Sequence, residues 1–293
     1  MRNPTPAGPE WQKPLEQGLY ITATPIGNSQ DISLRALDVL NKCEAILAED
    51  TRHTAKLLAI HGISRPLISY NDHNAPRVRP KLLRRLENGA RLALVSDAGT
   101  PLISDPGYKL VREAIAVGAR IHAVPGASAV LAGLVLSGLP TNRFLFVGFL
   151  PPSRVARRAA LDEIRALRMT LIFFEAPQRL TETLEDMISL LGEREAAVAR
   201  ELTKLHEDIH RGNLQDLATF YDSNAPRGEV TVIVGPPKPG EPDLSQADAL
   251  LDKALAFMPL RAAVELVSEG LNLPRKVIYA RALLRKGVNR NGA

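Results

Sequence analysis

The sequence predicts an α/β protein of two domains with mainly parallel sheets, followed by a small helical module. Three observations carry this. Short apolar runs alternate with amphipathic stretches along the chain, the pattern of strands that cross over through helices. Several runs end abruptly in loops dense in Gly and Pro, and in an open α/β sheet such loops at the carboxyl ends of strands are where ligands bind. At 293 residues the chain is also long enough for more than one core.

In chain order, residues 1–16 are polar and Pro-rich and read as a disordered extension. Strands are expected at 19–24, 45–48, 67–70, 92–95 and 121–124. The run 92–95 is wholly apolar, as a strand covered on both faces must be. Between these runs, 34–40, 81–86 and 108–117 carry helical spacing, and Gly89 stops the second. The turn at Pro125-Gly126 marks a boundary, giving an N-terminal α/β domain over 17–125 and a second over 126–235. The second opens on the longest apolar run, 127–139, which is too short to span a bilayer and reads as a buried helix. Strands follow at 144–150, 171–174, 196–200 and 230–234, with a helix at 180–191 that Gly192 stops. Residues 236–243 read as a stiff Pro-rich linker. The remainder, 244–293, is expected to form helices at 244–257, 260–267 and 276–284.

The loop after the fourth strand organises the rest. Gly99, Pro101, Pro106 and Gly107 fall within nine residues, too many breakers for regular structure. Pro106 is expected in the first turn of the next helix. Glycines there let backbone approach a ligand closely, and the prolines stiffen the loop. Pro25-Ile26-Gly27-Asn28 and Pro125-Gly126-Ala127-Ser128-Ala129 have the same character after their own strands.

Together these three loops resemble those of the tetrapyrrole-methylase superfamily, whose members bind S-adenosylmethionine (SAM) in a cleft between two α/β domains. Ala48-Glu49-Asp50-Thr51-Arg52-His53-Thr54 and Ser69-Tyr70-Asn71-Asp72-His73-Asn74 resemble one branch more narrowly, the bacterial 16S rRNA (cytidine-2′-O)-methyltransferases. The likeness covers five segments in order between about residues 19 and 235 and continues more loosely into the tail. It implies two α/β domains of that type with a SAM cleft between them. It also implies 2′-O-methylation of a cytidine in 16S rRNA or the 30S subunit (decoding region), a cytoplasmic location and a homodimer. Carried over by motif, the SAM contacts are Pro25, Ala98, Gly99, Thr100, Pro101, Ile103, Ser128, Ala129, Phe174 and Glu175. One departure stands out: Gln178 occupies a place where the family segment has His before Arg179. Two other readings keep the fold: methylation of a tetrapyrrole small molecule, or a non-catalytic RNA-binding assembly factor, which Gln178 alone favours.

Methyl transfer from a sulfonium is an in-line displacement on an activated donor, so alignment can supply about 7–11 kcal/mol of the barrier. A ribose hydroxyl is a poor nucleophile, and a general base adds about 10²–10⁴-fold. Asp50, His53, Asp72, His73 and Asp97 are the candidate bases, with Arg52 and Lys204 as phosphate or oxyanion partners. Asp50 with Arg52 reads equally as a structural ion pair, and lone histidines are often hydrogen-bonded loop residues.

Composition bounds the remaining classes. Apolar content of 45% and charged content of 24% are those of a globular protein. The single Cys43 excludes a disulfide framework and any multi-cysteine zinc site, and fits a reducing cytoplasm. Net charge is +5, yet residues 271–293 hold six basic residues and no acid, so the rest of the chain sums to −1. A neutral body with a basic tail points to a polyanion touched by the tail, or to a solvated helix face. In the first case Arg275, Lys276, Arg281, Arg285 and Lys286 bind RNA. The tail helices, joined at Gly270 with Pro274 at a first helical position, look like a helix-turn-helix. His206-Glu207-Asp208-Ile209-His210 matches a zinc-protease pattern, but it follows a strand and ends at Arg211-Gly212, leaving little room for the helix that chemistry needs. No metal is expected. No dinucleotide-binding or P-loop glycine pattern occurs anywhere in the sequence.

Overall fold

The computed structural model describes residues 14–237, 244–271 and 273–288, so most of the expected extension and linker lies outside the described residues. Five strands, β1 (Gly18–Thr22), β2 (Ala45–Ala48), β3 (Leu67–Ser69), β4 (Arg91–Val95) and β5 (Ile121–Val124), form a first sheet. Its order is β3-β2-β4-β1-β5 and every pairing is parallel. Parallel strands need crossovers, here α1 (Leu34–Lys42), α2 (Thr51–Ile60), α3 (Ala75–Glu87) and α4 (Tyr108–Ala116). The period of two in the strands builds a core on each face. Leu19, Leu47, Leu92 and Leu94 pack with Leu82 and Leu86 of α3 and Leu110 of α4. Tyr20, Ile46, Ala93 and Val95 pack with Val39 and Leu40 of α1 and Leu58 of α2. Each such aliphatic residue contributes about 1.5–3 kcal/mol by leaving water.

Helix α4 begins at Tyr108 with Gly107 at its cap. Pro106 therefore lies one residue outside the helix, contrary to the expectation that it sits in the first turn. Helix α2, which the sequence pattern did not announce, starts because the Asp50 side chain accepts the Arg52 N–H.

The second sheet comprises β6 (Phe144–Phe149), β7 (Thr170–Glu175), β8 (Glu195–Arg200), β9 (Asp208–Asn213) and β10 (Val230–Val234), ordered β6-β7-β10-β8-β9. Only β6 and β7 run parallel; β7–β10, β10–β8 and β8–β9 are antiparallel. The expectation of mainly parallel sheets thus holds for the first sheet and fails for the second. The connection from β8 to β9 is too short for a crossover, so the chain folds back as a hairpin. Strand β9 had no apolar signature, because it is an edge strand with only Ile209 as a large hydrophobe. Helix α5 (Ala129–Ser137) covers one face, packing Val130 and Leu134 on Ile172, Ala197 and Ile233. Helices α6 (Arg154–Ile164), α7 (Leu180–Leu191) and α8 (Leu214–Ser223) cover the other, with Leu161, Leu184, Met187 and Leu217 on Phe173, Val198 and Val232. Within that layer Asp186, fully buried, accepts from Arg157 Nε at 2.8 Å and from Arg158 Nη1 at 3.0 Å.

Residues 1–236 make one compact unit and 237–293 another. The second holds α9 (Leu244–Phe257), α10 (Leu260–Gly270) and α11 (Arg275–Val288). Its own core joins Ala247, Leu251, Val264, Val267, Ile278 and Ala282. Pro274 stands outside α11, its carbonyl accepting from the Val277 and Ile278 N–H groups at 2.9 and 3.2 Å. It is the cap, not the first helical residue as expected.

Candidate active site

The loops leaving β1, β4 and β5, three adjacent strands, are fastened together at the carboxyl edge of the first sheet. Thr24 and Gly99 exchange backbone hydrogen bonds at 2.9 and 3.1 Å. The Thr24 hydroxyl donates to the Ser96 carbonyl at 3.2 Å, and the Thr100 hydroxyl donates to the Ala127 carbonyl at 3.3 Å. Gly99 sits at φ 77°, and a Cβ there would press on Ile26 Cγ2 at 3.2 Å. Its glycine is therefore required by backbone conformation and by Ile26, in addition to the close ligand approach expected from sequence. Further on, Leu102 and Ser104 are held at φ 76° and 67°, strain of the kind that accumulates at functional sites.

Opposite these loops stands the second sheet's hairpin turn, with Glu201 and Thr203 at φ 51° and 66°. The Asn28 N–H donates to the Thr203 hydroxyl at 3.1 Å, and Glu207 accepts the Thr203 N–H at 2.7 Å. Gly27 lies so close that a Cβ would overlap Lys204 Cγ. Lys204 Nζ donates to Glu201 at 2.8 Å and Glu229 at 3.1 Å. Burial works against its charge, but those two hydrogen bonds prevail and hold its pKa above the ordinary lysine value. The turn and the first loop thus form a clasp between the two sheets.

Between them lies a cavity of about 460 Å³, within the range of small-molecule sites. Ile26, Ile103, Val130, Phe149 and Phe174 supply apolar wall, and Glu49, Asp97 and Asp105 an acidic rim. Burial pushes the Asp105 carboxyl up to about 6, a hydrogen bond with Ser96 working against it and the neighbouring Asp97 adding to it. Glu49 is also raised, by burial and then by Asp105, Asp97 and Asp72. Crowded carboxylates beside an apolar slot favour an organic cation carrying an aromatic ring. A second hollow of about 480 Å³ shares Ile26, Asp97, Ala98 and Glu229 with the first and adds His53, Lys56 and Lys204.

Of the ten expected SAM contacts, Ala98, Gly99, Thr100, Ile103, Ser128, Ala129, Phe174 and Glu175 line the first cavity. Pro25 faces the second hollow instead, and buried Pro101 is absent from both walls. The Glu175 carboxylate is engaged with the Thr183 hydroxyl at 2.7 Å and the Ala176 N–H at 2.8 Å. Asp50 is a poor base: hydrogen bonds from the Arg52 side chain and N–H hold its carboxyl far below the usual range. Arg52, 88% exposed, is that carboxylate's partner at 2.7 Å. His53 is exposed beside the second hollow, whereas Asp72 and His73 are exposed on the loop that Asn71 and Asn74 brace, each side-chain oxygen accepting the other's backbone N–H. Gln178 is exposed and does not line the cavity, although Ala176 and Pro177 do. Sequence reasoning missed Glu49 and Asp105; both stand inside segments it had singled out, and only burial distinguishes them from surface acids.

His206 lies in a turn and His210 on β9, where it meets Asp208 at 2.8 Å and stacks against Phe220. They do not share a helical face. Among the described residues no cluster of His, Cys, Asp or Glu could hold a metal ion, and no helix is long and apolar enough to cross a membrane. In the tail, Arg281 pairs with Asp248, and Arg285 pairs with Asp252 and, at 3.2 Å, with Asp248. Arg275 lies 3.9 Å from Glu265. Lys276 is exposed, and the Lys286 side chain lies outside the described residues.

A parallel sheet and a mixed sheet closing on a cavity at strand ends define the class, and residues 18–218 match the family model of tetrapyrrole (corrin/porphyrin) methylases. Residues 241–286 match the model described as the RsmI C-terminal HTH domain. The chain is 45% identical to ribosomal RNA small subunit methyltransferase I of Mesorhizobium japonicum over 96% of both chains. It is 48% identical to the protein of that name from Erythrobacter litoralis, covering 92% of this chain and 96% of that one. Among solved structures, uroporphyrin-III C-methyltransferase of Thermus thermophilus complexed with S-adenosylhomocysteine shares the fold at 19% identity and TM-score 0.53, over 74% of this chain and 97% of that one. The chain belongs to the ribosomal RNA small subunit methyltransferase I family of the tetrapyrrole methylases.

Proposed function

We propose that this protein transfers a methyl group from SAM to the ribose 2′-oxygen of a cytidine in 16S rRNA. The observation that carries the reading is the cavity lined from both sheets, with an apolar wall and a cluster of carboxylates. Its donor set fits SAM: Ile26, Val130, Phe149 and Phe174 suit an adenine ring, and Glu49, Asp97 and Asp105 suit a molecule with an ammonium and a sulfonium. When bound, SAM supplies a methyl group already activated for displacement. The chain's task is then alignment and proton removal. The braced loops of β1, β4 and β5 fix the cavity wall, and the second hollow, sharing that wall, receives the acceptor nucleotide. His53 faces the second hollow and takes the hydroxyl proton. Lys204 acts as a positioning residue, since both of its carboxylate partners hold it in the clasp.

The acceptor is 16S rRNA or the 30S subunit, the setting is the cytoplasm, and the protein works as a homodimer. Leu131 and Val135, 52% and 68% exposed on one face of α5, support a self-contact. The deciding experiment incubates the protein with labelled SAM and 16S rRNA, then runs the product on an alkaline ladder. A 2′-O-methyl blocks cleavage, so a gap is expected at one cytidine. Methyl incorporation without a gap refutes ribose methylation, and incorporation into uroporphyrinogen alone refutes the RNA acceptor.

A further inference from the structure

The RNA-binding residues expected from charge distribution lay in the tail, yet two of the arginines there already have carboxylate partners. The opposite situation holds on the first domain. Helices α3 and α4 lie side by side on one face of the first sheet, sharing a core and joined by Arg79 Nε to Glu113 at 2.9 Å. Their sequences carry seven cations against two carboxylates, Glu87 and Glu113. Arg79 is held by Glu113, and Arg85 lies 3.7 Å from Glu44. The other five, Arg77, Lys81 and Arg84 on α3 and Lys109 and Arg112 on α4, are exposed and have no acidic partner among the described residues.

Their placement is ordered. Arg77, Lys81 and Arg84 follow i, i+4, i+7 spacing, which puts them in one row about 10 Å long. Lys109 and Arg112 make a second, parallel row on the neighbouring helix. Both helices start at the carboxyl edge of the sheet, and α4 directly follows the loop whose Ile103, Ser104 and Asp105 wall the SAM cavity. Tyr108, 67% exposed, stands where that loop meets the Lys109 row. Rows of unpaired cations leading away from a reaction centre, with an exposed aromatic at their head, match a nucleic-acid backbone with one base free to stack.

We infer that the outer face of α3 and α4 is the surface on which this enzyme docks the phosphate backbone of its rRNA substrate, leading the strand past Tyr108 across the carboxyl edge of the first sheet toward the second hollow. The inference rests on the rRNA reading above, and its test separates the two. Binding of a 16S rRNA transcript is measured by filter retention between 50 and 200 mM salt, for the full chain and for Arg77→Gln/Lys81→Gln/Arg84→Gln. Each phosphate contact contributes about 0.7 to the log–log salt slope on single strands, so the triple variant should lose about 2 from it. Over that salt range the wild-type protein should weaken by about 20-fold more than the variant. SAM affinity, measured by calorimetry, should be equal in both, which also establishes that the variant is folded. Arg77→Lys/Arg84→Lys, which keeps the charge, should retain the wild-type slope. An unchanged slope in the glutamine variant, with SAM binding and methyl transfer intact, overturns the docking face and leaves the activity standing. Loss of binding to phosphatidylserine vesicles but not to RNA overturns it as well, in favour of a lipid surface. Absence of any salt-dependent RNA binding by the wild-type protein removes the rRNA reading itself.

Discussion

If the cavity holds SAM as proposed, Asp105 should make its binding pH-dependent in a window where an ordinary aspartate is inert. Burial, with Asp97 beside it, brings its carboxyl up to about 6. Ionised Asp105 attracts a cationic ligand and neutral Asp105 does not, so affinity for SAM should rise as the pH passes through that value. With a midpoint of about 6, the ionised fraction grows from roughly one-tenth at pH 5 to nine-tenths at pH 7, so affinity should increase about tenfold when only that form binds. Linkage runs the other way for stability. A carboxyl raised on folding favours the native state fully below the ordinary aspartate range, and that contribution disappears as pH rises through about 6. Titration calorimetry of SAM binding at pH 5, 6 and 7 measures the effect. Asp105→Asn should flatten the profile and weaken binding at pH 7 most. Glu49 titrates in the same field, and losing the Asp105 charge relieves part of its upward shift, so any residual slope should move to lower pH. A flat wild-type profile, or an identical profile in Asp105→Asn, refutes Asp105 as the cation's partner.

Asp186→Ala should cost about 3 kcal/mol in urea unfolding, because it removes the buried carboxylate on Arg157 Nε and leaves that buried guanidinium only the exposed Glu182 at 3.4 Å. Gly27→Ala should lower methyl transfer at saturating SAM more than it weakens SAM binding, since the added Cβ forces Lys204 out of the clasp; equal kcat in the variant removes the clasp from the mechanism. His53→Ala should reduce kcat by about 10²-fold or more with SAM affinity unchanged, and an unaltered kcat excludes it as the base. Truncation after Pro237 should leave SAM binding intact, since the cavity lies wholly in the first compact unit. It should reduce the salt slope of RNA binding by at most about 3, against the roughly 4 that six free cations would give, because Arg281 and Arg285 are already paired.

The first domain was legible in the sequence because its strands are covered on both faces and therefore read as plain apolar runs, as at Leu92 to Val95. Strand β9 was not, since an edge strand with His210, Arg211 and Gly212 on it satisfies no hydrophobic pattern. The loops of the site were visible through their glycines and prolines, and eight of ten motif-derived contacts face the cavity. Charge was the harder matter. A run of basic residues in the tail looked unopposed only because Asp248 and Asp252 sit on α9, some thirty residues earlier in the chain. The cations of α3 drew no notice because a basic amphipathic stretch reads as an ordinary solvated helix face, and packing then left three of them without acidic partners among the described residues. Linear charge counting sees composition; pairing is a property of the fold.

The crossed hydrogen bonds between Thr24 and Gly99, with Thr100 reaching Ala127, make a tie-beam across three strand ends. A wall tied in this way has few conformations left to lose when a ligand arrives, so most of the ordering cost is met during folding. It follows that this side of the cavity is a fixed jaw. Any opening for product exchange has to come from the opposing jaw, where Glu201 and Thr203 hold a sprung turn against Asn28.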